Sequence, residues 1–92
     1  MKTASADVEI TNAMGIHLRP ASQIVQLCNK YADCEVELSK EGQSVNGKSI
    51  MSVVMLASEQ GSVLRIEARG EQCNELLAEL VALIENKFGE EE

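Results

Sequence analysis

Three stretches of this sequence alternate apolar and polar residues without a break, and that alternation restricts the fold more than any other feature. Ala6, Val8 and Ile10 alternate with Asp7, Glu9 and Thr11. Cys34, Val36 and Leu38 alternate with Glu35, Glu37 and Ser39, and Leu64, Ile66 and Ala68 with Arg65, Glu67 and Arg69. Side chains on a strand point to opposite faces in turn, so each stretch predicts a strand buried on one side and wet on the other. A sheet of such strands is antiparallel and covered on a single face.

The cover must come from helices. From Pro20 to Tyr31 the period becomes helical: Ala21, Ile24, Val25, Cys28 and Tyr31 share one face, while Ser22, Gln23, Gln26 and Lys30 take the other. Ser49 is a natural N-cap for a short helix through about Ala57, with Ile50, Val53, Val54 and Ala57 inward. A last helix near Cys73 to Phe88 buries Cys73, Leu76, Leu77, Leu80, Ile84 and Phe88, and Gly89 stops it. Lys40-Glu41-Gly42 offers a hairpin turn into a short third strand near Gln43–Val45, and Gly61 and Gly70 bracket the fourth strand.

The predicted order is β-α-β-β-α-β-α, an α+β fold. The outward charges suggest which strands are neighbours. The first two long strands carry Asp7, Glu9, Glu35 and Glu37 outward, whereas the fourth carries Arg65 and Arg69. Setting the fourth between them puts Arg beside carboxylate, which favours a four-stranded antiparallel sheet of order 1-4-2-3 with three helices on one face. A chain of 92 residues supports one modest core. We therefore expect a single domain over residues 1–88 and a solvated acidic tail over 89–92.

Composition removes several functions. A net charge of −7, with Tyr31 and Phe88 as the aromatic residues, argues against nucleic acid, which wants a basic stripe and stacking side chains. No apolar run approaches the roughly 20 residues of a membrane span, so a cytoplasmic protein is expected. Cys28, Cys34 and Cys73 lack metal-ligand spacing and fall on apolar faces; they read as reduced core residues, and no metal or cofactor is expected.

Within this acidic chain, residues 10–32 hold no Asp or Glu, and that stretch contains the single histidine, His17, followed by Arg19 and Pro20. The pattern points to an anion site. Proline suits the first turn of a helix, where its missing N–H costs nothing, so His17 and Arg19 would sit at the positive helix end beside free backbone N–H groups. A neutral imidazole there keeps a nitrogen lone pair available as a nucleophile. A phosphoryl group on that nitrogen would face the amides of Leu18 and Arg19 and the Arg19 guanidinium. Gly15 permits a tight strand-to-helix turn before it.

Gly15-Ile16-His17-Leu18-Arg19-Pro20-Ala21 resembles the active-site segment of HPr, the histidine-containing phosphocarrier of the bacterial phosphoenolpyruvate:sugar phosphotransferase system. Asn46-Gly47-Lys48-Ser49-Ile50-Met51-Ser52-Val53 resembles that family's second landmark, around its regulatory serine. Spacing and element order match over about residues 3–88. The resemblance implies an open-faced β-sandwich. It also implies that His17 is phosphorylated on Nδ1 by enzyme I and serves enzyme IIA domains during sugar uptake, with Arg19 stabilising the phosphohistidine. Such a protein is a carrier, not an independent turnover enzyme. A relative serving the nitrogen-related branch, or a mainly regulatory one, is the alternative. The acidic last third, with seven Glu against one Lys from Glu71 to Glu92, departs from the family pattern.

Two further features need weighing. Gly42 to Ser49 fits G-x-x-x-x-G-K-S literally, the pattern of a phosphate-cradling nucleotide loop. The strand before it alternates instead of being continuously apolar, and no later apolar strand ends in an Asp for magnesium, so a small nucleotide-binding protein is the remote alternative. Ser49 is structurally an N-cap, and the resemblance makes it a candidate phosphoserine for an HPr serine kinase/phosphorylase. Met51 and Met55 lie four apart, off the inward stripe, in a second carboxylate-free run from Gly42 to Ser58. With Lys48, Ser49 and Ile50 they form a candidate docking patch for partner proteins of a monomer.

Overall fold

The computed structural model describes residues 2–56 and 58–90. Its elements are β1 (Thr3–Glu9), α1 (Leu18–Lys30), β2 (Glu35–Lys40), β3 (Gln43–Asn46), α2 (Ile50–Met55), β4 (Val63–Arg69) and α3 (Cys73–Glu85), followed by a single tight turn at Lys87–Gly89. The strands form one antiparallel sheet in the order β1-β4-β2-β3. The order expected from charge is the one observed.

Register explains why it is chosen. Pairing β1 with β4 sets Asp7 opposite Arg65, and pairing β2 with β4 sets Glu35 opposite Arg69. Arg65 Nη1 lies 3.3 Å from Asp7 Oδ1, and Arg69 Nε lies 3.5 Å from Glu35 Oε1. One opposition runs against the expectation: Glu37 faces Glu67, and Arg69 turns back along its own strand to hold Glu67 at 2.9 Å. Exposed pairs like these contribute little stability. The stronger constraint is the pleat, because a one-residue slip would move Leu64, Ile66 and Ala68, all fully buried, onto the wet face.

Beneath the sheet, Val8, Val36, Leu38, Leu64, Ile66 and Ala68 pack in one core with Ala21, Ile24 and Cys28 of α1, Val53 of α2, and Leu76, Leu80 and Ile84 of α3. Leu56, just past α2, fills an inward position there; the expected Ala57 position lies outside the described residues. The hairpin joining β2 to β3 turns on Glu41 (φ 52°) and Gly42 (φ 83°), the left-handed pair that a tight two-residue turn demands. Residues 43–46 are thus a strand paired to β2, not a loop, and the literal nucleotide-loop motif forms no phosphate cradle.

The last helix departs from expectation. It stops at Glu85, three residues before Phe88, and the chain then passes through Lys87 (φ 56°), Phe88 (φ 57°) and Gly89 (φ 78°). Left-handed geometry costs about 1–2 kcal/mol per ordinary residue. Lys87 and Phe88 both bear that cost; burying a Phe side chain yields about 1.5–3 kcal/mol, and Phe88 is 2% exposed, so the core offsets much of it.

All three thiols are free and buried. Burial pushes the Cys28 thiol up to about 11, against a weaker downward pull from Lys48. We expect native Cys28 to resist a thiol-alkylating reagent in mildly alkaline buffer and to react only after unfolding, as read by intact mass. Rapid labelling of Cys28 in the folded protein would contradict this packing.

Candidate functional site

The site begins where β1 hands over to α1. Ile10 is fixed against the loop before β4 by two backbone bonds: its N–H donates to Ser62 O at 2.9 Å, and Gly61 N–H donates to Ile10 O at 2.7 Å. Six residues on, Ile16 N–H donates to Ser58 O at 2.8 Å. Gly15 lies between these ties at φ 67°, and a Cβ there would sit 2.5 Å from Ser58 O and 2.9 Å from Glu59 Cα. Only glycine supplies both the left-handed turn and the clearance.

This turn delivers His17 as the N-cap of α1, with extended backbone (φ −99°, ψ −166°) and no side-chain bond into the helix. The helix starts two residues earlier than Pro20 suggests, so Pro20 is its third residue. Ala21 N–H donates to His17 O at 3.0 Å as the first intrahelical bond. Pro20 has no N–H, which leaves the amides of Leu18 and Arg19 as unpaired donors beside the imidazole. Arg19 is exposed and forms no ion pair among the described residues. His17 therefore stands at the start of α1, followed by Leu18 and Arg19 in a first turn that carries no acid.

A carboxylate nevertheless reaches the site from far along the chain. Glu90 Oε2 lies 2.8 Å from His17 Nε2, and Glu90 Oε1 accepts from Asn12 Nδ2 at 3.0 Å. Asn12 is fully buried and also donates from Nδ2 to Gly15 O at 2.7 Å. The expectation of a solvated tail is thus corrected at Glu90, whose side chain is 15% exposed; Glu91 and Glu92 lie outside the described residues. Burial by itself would push the Glu90 carboxyl up. The hydrogen bonds from Asn12 and His17, with the charges of His17 and Arg19, outweigh it and hold the group below the usual glutamate range.

The second landmark is more structural than the sequence suggested. Ser49 caps α2 by accepting from Ser52 N–H at 3.5 Å, a long bond. Lys48 is half-buried, and its ammonium donates to Tyr31 O at 3.0 Å, at the end of α1. Ile50 packs partly against the core. Met51 and Met55 remain 63% and 72% exposed. Met14 and Leu18, which flank His17 in the sequence, are similarly exposed, as is Val63 of β4. No hydrogen bond or ion pair joins Ser49 to His17 or Arg19 among the described residues.

A family model described as the PTS HPr component phosphorylation site matches residues 4–86. The chain belongs to the HPr family. It is an HPr-type phosphocarrier of the phosphotransferase system, a family that works with the enzymes of that system. The phosphocarrier protein HPr of Pseudomonas aeruginosa is 41% identical over 87 residues, covering 94% of this chain and 96% of that one. The phosphocarrier protein NPr of Escherichia coli is 38% identical over 90 residues, covering 97% and 99%. A crystal structure of HPr from Thermoanaerobacter tengcongensis superposes with a TM-score of 0.89 at 40% identity, over the whole of both chains. The open-faced α+β sandwich is the architecture of HPr structures. Asn12, Met14 and Glu90 were not picked out by sequence reasoning. Asn12 and Met14 lie inside the acid-free stretch that marked the site, whereas Glu90 carries no local signal at all.

The lowered Glu90 carboxyl fixes a direction for acid sensitivity. Stabilisation from its contacts with Asn12 and His17 is fully present above the ordinary glutamate range and is lost as pH falls through the lower, folded-state value. A carboxyl 13C titration should show Glu90 protonating below the ordinary glutamate value, with the Asn12 side-chain amide shifting in step. Titration at or above the ordinary value would remove Glu90 from the site.

Proposed function

We propose that this protein accepts a phosphoryl group on His17 from enzyme I, itself charged by phosphoenolpyruvate, and passes the group to sugar-specific enzyme IIA domains. The observation that supports the reading best is the placement of His17 as N-cap of α1, followed by the Leu18 and Arg19 amides of its first turn. In uptake, the lone pair of Nδ1 attacks phosphorus. The bond from phosphorus to the donor atom breaks, and its electron pair leaves with the donor. The oxygens of the new phosphohistidine face the helix N–H groups and Arg19, which favour negative charge there. Delivery is the same displacement in reverse onto the next protein, so the chain ends as it began, a carrier and not a turnover enzyme.

Met14, Leu18, Met51 and Met55 give the docking surface its apolar part, since flexible thioether and aliphatic groups adapt to several partners. Lys48, Ser49 and Ile50 border it, and Ser49 is the serine an HPr serine kinase/phosphorylase would modify. The protein acts as a cytoplasmic monomer; among the described residues no helix is long and apolar enough to cross a membrane. Close similarity to a relative named NPr favours the nitrogen-related branch as the second reading.

Labelled phosphoenolpyruvate with enzyme I should charge the native protein, and the label should be acid-labile, as a phosphoramidate is. His17→Ala should keep the fold and take up none. Arg19→Glu should sharply impair uptake without lowering the melting temperature, because it sets a like charge beside the phosphoryl group. Label on His17→Ala would end the reading.

Ser49 has two separable roles. Its long capping bond places Ser49→Ala at the low end of cap losses, about 0.5–1 kcal/mol. Ser49→Asp should cap as well as serine yet slow phosphoryl uptake through a raised KM, since it places fixed charge in the docking patch. Equal uptake by Ser, Ala and Asp proteins would leave Ser49 as a cap alone.

A further inference from the structure

Glu90 is not required by the displacement just described, yet it makes the one hydrogen bond to the His17 ring among the described residues. We propose that Glu90 is a positioning residue: its carboxylate holds the His17 proton on Nε2, so that the lone pair used for phosphoryl uptake resides on Nδ1. This inference rests on the reading of His17 as the phosphoryl acceptor.

The donor and acceptor roles follow from groups that allow no choice. The Gly15 carbonyl can only accept, so Asn12 must turn Nδ2 toward it, at 2.7 Å. The same Nδ2 then donates to Glu90 Oε1 at 3.0 Å, which fixes the carboxyl group from one side. An ionised carboxylate only accepts, so the 2.8 Å contact from Oε2 requires Nε2 to donate. A neutral imidazole has one N–H. With that proton on Nε2, Nδ1 carries the lone pair and has no partner among the described residues.

The arrangement also matches the charge that transfer creates. When Nδ1 bonds to phosphorus, the ring keeps its Nε2 proton and becomes cationic, while the electron pair of the broken bond departs with the donor. No proton has to enter or leave. The ring cation meets a carboxylate 2.8 Å away, and on delivery the N–P pair returns to Nδ1 and restores the neutral tautomer. Carboxylates that orient a catalytic imidazole in this manner matter greatly elsewhere, because the wrong tautomer has no lone pair at the reacting nitrogen. The buried Phe88 and the left-handed turn at Lys87–Gly89 are what bring Glu90 back to the start of α1.

The discriminating change is Glu90→Gln, which keeps size and exchanges one acceptor for a donor. Asn12 Nδ2 still needs an acceptor, so the amide oxygen would face Asn12 and the amide nitrogen would face His17. That donor obliges ring Nε2 to accept and moves the proton to Nδ1. Two readouts apply to the full chain as wild type, Glu90→Gln and Glu90→Ala. Long-range 1H–15N spectra in mildly alkaline buffer report the tautomer, and uptake kinetics from enzyme I separate kcat from KM. We expect the Nε2–H form in wild type, a mixture in Glu90→Ala, and the Nδ1–H form in Glu90→Gln. Uptake by Glu90→Gln should fall roughly tenfold in kcat, the scale of one charge-assisted hydrogen bond, with KM little changed and Glu90→Ala intermediate. A His17 that stays Nε2–H in Glu90→Gln overturns the proposal, as does a ranking with Gln equal to wild type and Ala lowest, which marks a packing role. The spectra need no phosphoryl donor. A failed tautomer shift therefore counts against Glu90, whereas label on His17→Ala counts against the acceptor reading.

Discussion

Everything in this molecule depends on a sheet with one buried face. Because β1, β2 and β4 alternate strictly, their apolar side chains emerge on one side only, and all three helices must gather there to close the core. That crowding sets where the helix ends fall. The start of α1 lies against the loop before β4, and the chain leaving α3 returns to the same place. A sheet covered on both faces would separate those two ends.

Within that frame, the site is assembled from backbone more than from side chains. Gly15 lets the chain turn tightly under Ser58 O, His17 caps the helix, and Pro20 removes a donor that would have been unpaired in any case. The outcome is a small anion-favouring end in a protein of net charge −7. The first turn of α1 holds no acid, yet Glu90 reaches it, docked by two specific hydrogen bonds and largely out of solvent. That carboxylate meets Nε2 and leaves Nδ1 without a partner among the described residues.

The second landmark shows how one segment serves packing and surface together. Lys48 ties the end of α1, Ser49 starts α2, and Ile50 reaches the core, while Met51 and Met55 point into solvent. A six-residue helix cannot hold itself together by backbone bonds alone. Its first residues are therefore committed to the fold, and the methionines are left in solvent.

Local pattern alone determined the strand faces, the helix faces, the Glu41-Gly42 turn and the His17–Arg19 segment, because each depends on residues within a few positions of one another. The charge argument extended this to strand order, since Arg65 and Arg69 had suitable partners on two different strands. It failed at Glu37 and Glu67, where the register is set by burial on the other face and Arg69 compensates from within its own strand. The end of α3 and the place of Glu90 were decided only by tertiary structure. Nothing near Phe88 signals that it should leave the helix and adopt left-handed backbone; the energy that permits this comes from a core built by strands and helices distant in sequence. The contact between Glu90 and His17 spans 73 positions, and a helical or alternating period carries no information at that range.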